Sequence, residues 1–359
     1  MLPYYILILV PALLMVFTDH LTYKTRGFDF KKLILGSFFL LFFVILACRG
    51  IEIGVDLNNY QEMFEATASS DFFASLDSYG VEVGYHTLQY LVGLLTDDFR
   101  WMLVIVALFS TVPLWILYQK ESEYPYLTMI LFVTVAPFAM FFSGLRQTCA
   151  MAFVVPIYYL IKNKKPVWFV IVVLIASLFH KSAIVMLAMY PLYHIKFGRN
   201  FAYFFMPVTG LCLLFNKQLL SFAFNVLAGG YFDKYGEIAN TGSYTMLILF
   251  IAFIVYCYVI PDEEVLDDNI RGLRNFLYLM IIIQCFAPVH TVAMRMNYYY
   301  MLFLPILIPK IAASCERQTA RLSELSLIAM NVFFTARYFV EMYTGEDILN
   351  IYPYEVFWK

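Results

Sequence analysis

Apolar runs of roughly 14 to 19 residues recur from one end of this chain to the other, each near the length at which a helix crosses a hydrocarbon core of about 30 Å. With 62% hydrophobic and only 14% charged residues in 359, the chain cannot be an ordinary soluble globule. The fold class this predicts is an all-α polytopic membrane protein, a single integral membrane domain over 1–359 with about 12 transmembrane helices. The expected crossings are 3–18, 33–48, 100–118, 127–142, 147–161, 166–179, 183–195, 201–216, 244–260, 276–289, 296–310 and 324–341. The run Pro3–Phe17 lacks a basic flank and a small-residue cleavage site, so no cleavable signal peptide is expected. Six cysteines without CxxC spacing read as small buried hydrophobes. A net charge of −2 gives no reason to expect nucleic acid.

One further apolar run, 83–96, is short for a crossing, and the lysines and arginines decide its role. Lys24, Arg26, Lys31 and Lys32 mark a first cytoplasmic loop, Lys162, Lys164 and Lys165 a second, Lys196 and Arg199 a third, and Lys310, Arg317 and Arg321 a fourth. All can lie on one side only if 83–96 does not cross. It then reads as a re-entrant or interfacial helix, admissible where it lines a cavity enclosed by protein. Arg271 and Arg274, among five acids in 262–268, weaken this count.

On that topology 49–82 is an acidic extracytoplasmic loop and 217–243 a second one, and five charged positions reach the same outer face: Arg49, Glu82, Arg146, His180 with Lys181, and Arg295. A charge at membrane depth is costly and marks a wet, protein-lined cavity. Each also has a plainer reading. Asp56 stands where it can cap a short amphipathic helix of about 57–66, with Tyr60, Met63 and Phe64 along one stripe. Glu82 can be a carboxylate favourably placed at a helix N-terminus, and Arg49 can snorkel from a helix end. Arg146 lies in Ser143-Gly144-Leu145-Arg146-Gln147, between two apolar runs with no hydrophilic loop. Its planar fork suits a phosphate or carboxylate, with Gln147 as a further donor; alternatively it pairs with Asp56 or Glu82. His180 can be a base, a cation at phosphate, or a satisfied interior residue. Arg295 precedes the run Tyr298-Tyr299-Tyr300 and reads equally as an interfacial anchor or a site residue.

No P-loop, GxGxxG, HExxH or GxSxG is present, and no metal-spaced cluster of His, Cys and carboxylates. Nor is there a Gly/Pro-broken pair of equivalent helices of the kind that points to an inverted-repeat transporter.

The ordered set Arg49-x4-Gly54-x-Asp56-x3-Tyr60, Glu82-x-Gly84-Tyr85, Ser143-Gly144-Leu145-Arg146-Gln147 and Phe179-His180-Lys181-Ser182-Ala183, followed by Arg295 with its tyrosines and Tyr352-Pro353-Tyr354, resembles the EpsG family of bacterial exopolysaccharide polymerases. These are grouped with the Wzy polymerases of O-antigen and capsule assembly. Val55 and Leu57 depart from the pattern, where a small hydroxylated residue and an aromatic or threonine are more usual.

The resemblance implies a GT-C-like membrane glycosyltransferase at the outer face of the bacterial inner membrane. It would move a growing glycan from polyprenyl diphosphate onto a newly flipped, lipid-linked repeat unit. Arg49, Arg146, Gln147, Lys181 and Arg295 would then meet the diphosphate. Asp56, Glu82 and His180 are the candidates for taking a proton from the attacking sugar hydroxyl, a carboxylate being preferred as base with His180 assisting at the diphosphate. Tyr60, Tyr85 and Tyr298 would contact sugar. Direct attack would invert the anomeric centre. The donor is already activated, so the resemblance implies no cofactor, metal or soluble nucleotide sugar. Membrane lipid, a chain-length regulator and a flippase of the same pathway are the partners it implies. A glycan ligase or other membrane glycosyl- or acyltransferase fits the same cationic chamber, and so does a flippase or transporter of lipid-linked oligosaccharide.

Overall fold

The computed structural model describes residues 1–21, 30–198, 200–228, 242–263, 266–315, 318–345 and 349–358. Lys24, Arg26, Arg199, Arg317 and positions 229–241 of the loop expected at 217–243 lie outside the described residues. The described elements are all helical apart from two isolated β-bridges. The chain divides into two compact units, Met1–Ile184 with Ser326–Lys359, and Val185–Leu325.

The first unit runs α1 (Leu2–Leu21), α2 (Phe30–Ala47), α3 (Leu57–Ala68), α4 (Phe72–Tyr79), α5 (Val83–Gly93), α6 (Phe99–Glu121), α7 (Pro125–Thr134), α8 (Met140–Ser143), α9 (Leu145–Ala152), α10 (Val154–Lys162) and α11 (Pro166–Ser177). The second holds α12 (Met189–His194), α13 (Phe201–Leu214), α14 (Asn216–Ala228), α15 (Gly242–Val259), α16 (Asp268–Gln284), α17 (Thr291–Met301) and α18 (Leu304–Ala313). Helix α19 (Ala320–Thr344) belongs to the first unit in all but its opening turns.

Among the described residues, α2, α6 and α19 are long and apolar enough to cross a membrane, and α13 with α14 forms a fourth such stretch bent by 80°. Several expected crossings arrive instead as two short helices. The run 127–142 becomes α7 and α8, 147–161 becomes α9 and α10, and 296–310 is divided between α17 and α18. Proline accompanies each break: it lacks a donor, clashes with the preceding turn and is best placed in the first turn of a helix. Pro137 stands between α7 and α8, and Pro156 and Pro305 occupy the first turns of α10 and α18. Such irregular backbone is admissible at membrane depth when protein covers it, and Val135, Phe138, Phe141 and Phe142 are at most 3% exposed.

Helix α5 has 11 residues, a length of about 16 Å and roughly half of a hydrocarbon core. It packs on α3, and the two share a buried core with α6 and α9 through Leu57, Tyr60, Phe64, Tyr85, Leu103 and Leu145. That core is the floor on which the charged residues stand.

In the second unit Arg274, 1% exposed, donates to both carboxylate oxygens of Glu263 at 2.6 and 2.8 Å and lies 4.0 Å from the Tyr258 ring centroid. Arg271 pairs with Asp268 at 3.5 Å. The two arginines that blurred the loop-charge count are thus engaged by the acids around them. With Asp71 expected outside and Asn163 inside, single cysteines at these positions should react with an impermeant thiol reagent only from opposite sides of intact cells. Labelling of both from one side would rule out the twelve-crossing topology.

Candidate functional site

Two carboxylates stand at helix N-cap positions and cap nothing. Asp71, Asp98 and Asp267 each accept from a backbone N–H at the head of α4, α6 and α16. Asp56, ahead of α3, and Glu82, ahead of α5, make no such bond, forgoing about 1 kcal/mol each. Both reach instead to partners far away in sequence.

Glu82 is the hub. Its Oε2 accepts from Arg146 Nη1 at 2.8 Å, and its Oε1 accepts from the backbone N–H of Lys181 at 3.2 Å. The His180 Nδ1 lies 3.3 Å from the same Oε1, close enough for charge pairing but not aligned as a hydrogen bond. The backbone brings these groups together by close approach: the Gly84 N–H donates to the Leu178 carbonyl at 2.7 Å, and a Cβ on Gly84 would sit 2.8 Å from that oxygen. The first turn of α5 is thereby pressed onto the turn that carries His180 and Lys181. Gly84→Ala is expected to force the contact apart and cost about 1–3 kcal/mol, measured as a lowered melting point in detergent; an unchanged melting point would show that the approach is not required.

Arg146 is clamped on two sides. Besides Glu82, its Nε donates to the Tyr60 hydroxyl at 3.3 Å. Among the described residues its Nη2 has no partner, and its side chain is 29% exposed. The Lys181 side chain, exposed and without an ion-pair partner among the described residues, follows directly on His180. The result is a guanidinium held on two sides with one nitrogen open, sharing the Glu82 carboxylate with His180 and the backbone of Lys181.

Burial pushes the Glu82 carboxyl up, but His180 and Arg146 together more than offset it and hold the group at about 2 against an ordinary 4.5. A carboxyl depressed in this way contributes stability above its unfolded value, and the contribution is lost only as pH falls through the folded one. Between pH 5 and pH 9, Glu82→Gln is therefore expected to melt below the parent chain throughout. An interval that closed toward pH 5 would show that the carboxyl protonates near its ordinary value.

Asp56 Oδ2 accepts from the Ser143 hydroxyl at 3.1 Å, so Asp56 is not the partner of Arg146. Arg49 is 2% exposed and donates from Nη1 to the Leu46 carbonyl at 2.6 Å. Its guanidinium lies 5.7 Å from the Phe142 ring centroid, with no ion-pair partner among the described residues. Burial pulls it down to about 10, opposed by Tyr354, Tyr4 and Tyr85 nearby. The tail segment Leu349–Phe357 covers it: Gly50, Gly54 and Val55 donate backbone N–H groups to Glu355, Asn350 and Leu349, and Phe357 donates to Cys48. Tyr354 donates to the Ile45 carbonyl at 2.9 Å.

Tyr60 and Tyr85 are 5% and 0% exposed, their rings meeting edge-on with centroids 5.5 Å apart. Gln147 is 1% exposed. Arg295, exposed, and Tyr298, partly buried, lie on α17 of the second unit. Sequence reasoning gave no role to Ser143 or to the tail. A cavity of about 390 Å³ opens beside the 49–52 loop, lined by Glu52, Gln61, Glu65, Asp97, Phe99 and Glu355 among others.

Long apolar helices mark a membrane protein, and within its first unit Arg146 is held by Glu82 and Tyr60. The EpsG family model matches residues 32–356, and the chain belongs to the EpsG family. No curated protein and no solved structure matches it.

Proposed function

We propose that this protein is a polysaccharide polymerase that joins polyprenyl-diphosphate-linked oligosaccharide repeat units at the outer face of the bacterial inner membrane. The observation that carries this is the Arg146 clamp. A guanidinium pinned by Glu82 and Tyr60, with Nη2 open and His180 on the same carboxylate, is a preorganised receptor for a diphosphate. When a sugar hydroxyl displaces the lipid diphosphate, negative charge grows on the leaving oxygen, and cations fixed in place stabilise it without reorganising. Membership of the EpsG family supports the same reading. A cavity of about 390 Å³ lined by carboxylates, an amide and aromatic edges is within the size range of small-molecule sites and offers hydroxyl acceptors to a glycan.

The family resemblance supports a role for Arg295 as a phosphate contact and for Tyr298 as a sugar contact, both on α17 of the second unit. A chain-length regulator and a flippase acting on the same lipid-linked units are the expected partners. Deleting the gene should leave single repeat units attached to lipid on the outer leaflet. Units stranded on the cytoplasmic leaflet would point to a flippase instead, and polymer that forms but stays on its lipid would point to a ligase.

A further inference from the structure

We propose that Asp56 is the base that accepts the proton of the attacking sugar hydroxyl, and that Ser143 is the residue that positions it. This rests on the polymerase reading above.

Three groups compete for the role, and their surroundings separate them. Both oxygens of Glu82 are engaged, by Arg146 on one and by the Lys181 N–H on the other, and its side chain is only 9% exposed. With the carboxyl held at about 2, it is a weak proton acceptor as well as an occupied one. His180 stands on the cationic side of the cluster, next to Lys181 and facing the carboxylate that Arg146 also holds. An anion drawn to Arg146 and Lys181 would meet the His180 ring, which suits an assistant at the diphosphate.

Asp56 differs from both. Only one of its oxygens is engaged, by a neutral hydroxyl, and Oδ1 has no partner among the described residues. Its placement is enforced. Gly54 adopts φ +114°, a conformation that L side chains rarely take, and a Cβ there would lie 2.3 Å from the Phe142 carbonyl oxygen. The turn is therefore pressed directly onto the end of α8, while Gly54 and Val55 are tied from the other side to Asn350 and Leu349. The carboxylate forgoes its cap on α3 for Ser143. Ser143 is fully buried and lies three residues before Arg146, so one short stretch of backbone orients the base and carries the arginine that meets the leaving group.

The step balances without a further reactant. The hydroxyl oxygen of the acceptor sugar forms the new bond to the donor's anomeric carbon as its proton passes to the Asp56 carboxylate. The bond from anomeric carbon to phosphate oxygen breaks, and the lipid diphosphate leaves with the electron pair. The carboxylic acid then returns its proton to water.

The test uses the full chain in proteoliposomes with lipid-linked repeat units, read as single-turnover elongation. Elongation by the parent chain is the control for the polymerase reading itself: if the parent makes no product, that reading fails whatever Asp56 does. With an active parent, Asp56→Asn should slow turnover by about 10²–10⁴-fold with little change in KM. Formate should restore part of the rate of Asp56→Ala, which a carboxylate with only a structural role would not allow. Ser143→Ala should lower turnover about tenfold, the worth of one hydrogen bond to a charged group. In the Asp56→Asn background it should lower it no further, because it acts through Asp56. Near-parent turnover by Asp56→Asn would overturn the assignment of the base, and an equal loss from Ser143→Ala in both backgrounds would overturn the positioning role.

Discussion

Arg146→Lys is expected to insert and accumulate like the parent chain while making polymer on the order of 10²–10³ times more slowly. The lysine keeps the charge and loses the fork. In the parent, Nε is committed to Tyr60 and Nη1 to Glu82, and Nη2 has no partner among the described residues; an ammonium on a flexible stem cannot hold three directions at fixed angles. Arg146→Ala removes the charge as well and leaves Glu82 with only His180 and one backbone donor. It should therefore lose stability in addition to activity, by the roughly 3–5 kcal/mol that follows when one partner of a buried pair is removed; the partial exposure of Arg146, 29%, places the expected cost at or below the lower end of that range. Membrane protein level and the polymer ladder, measured for both variants, separate the two contributions. Full polymer from Arg146→Lys at normal level would show that Arg146 serves only as an ion-pair partner of Glu82.

Truncation before Leu349 is expected to abolish polymer formation altogether and to lower the melting point sharply. The tail Leu349–Phe357 accepts the N–H groups of Gly50, Gly54 and Val55 and donates one to Cys48, and Asn350 donates from its side chain to the Glu52 carbonyl at 2.8 Å. Without it, the turn that presents Asp56 loses its outer fastening, and Arg49 is uncovered on the side where Tyr354 now stands. At about 1 kcal/mol for each hydrogen bond, the loss is a large fraction of the stability of a typical domain. Thermal melting in detergent, paired with the polymer ladder, reads both effects. A truncated chain that melted and polymerised like the parent would show that the tail is an accessory to the site.

Parts of this arrangement were legible in the sequence because they rest on local signals. Helices α2, α6 and α19 announce themselves by apolar length, and α3 by its stripe of Tyr60, Met63 and Phe64. The gathering of Glu82, Arg146 and His180 could be anticipated because each charge interrupts apolar sequence at a cost that implies a shared wet site. The proline-led breaks were hidden, since hydropathy runs unchanged through Pro137 and Pro156 while the helix does not. Capping misled at Asp56: local propensity favours the cap, and the distant partner Ser143 outweighs it. The burial of Arg49 could not be anticipated, because its surroundings come from Tyr4, Phe142 and Tyr354, segments that no local pattern joins. Ser143 stands in the same motif as Arg146 but signalled no role of its own, being small and neutral beside a conspicuous arginine.

The central claim is that the Arg146 clamp and the carboxylates around it perform glycan polymerisation on a lipid diphosphate. It is tested most directly by adding lipid-linked repeat units as the sole substrate to the purified chain in proteoliposomes and resolving the products by size. A ladder rising in steps of one repeat unit, with free lipid diphosphate released at each step and no metal or nucleotide sugar supplied, is the expected result. Unchanged single units, under conditions where the protein is folded and binds its lipid-linked substrate, would contradict it.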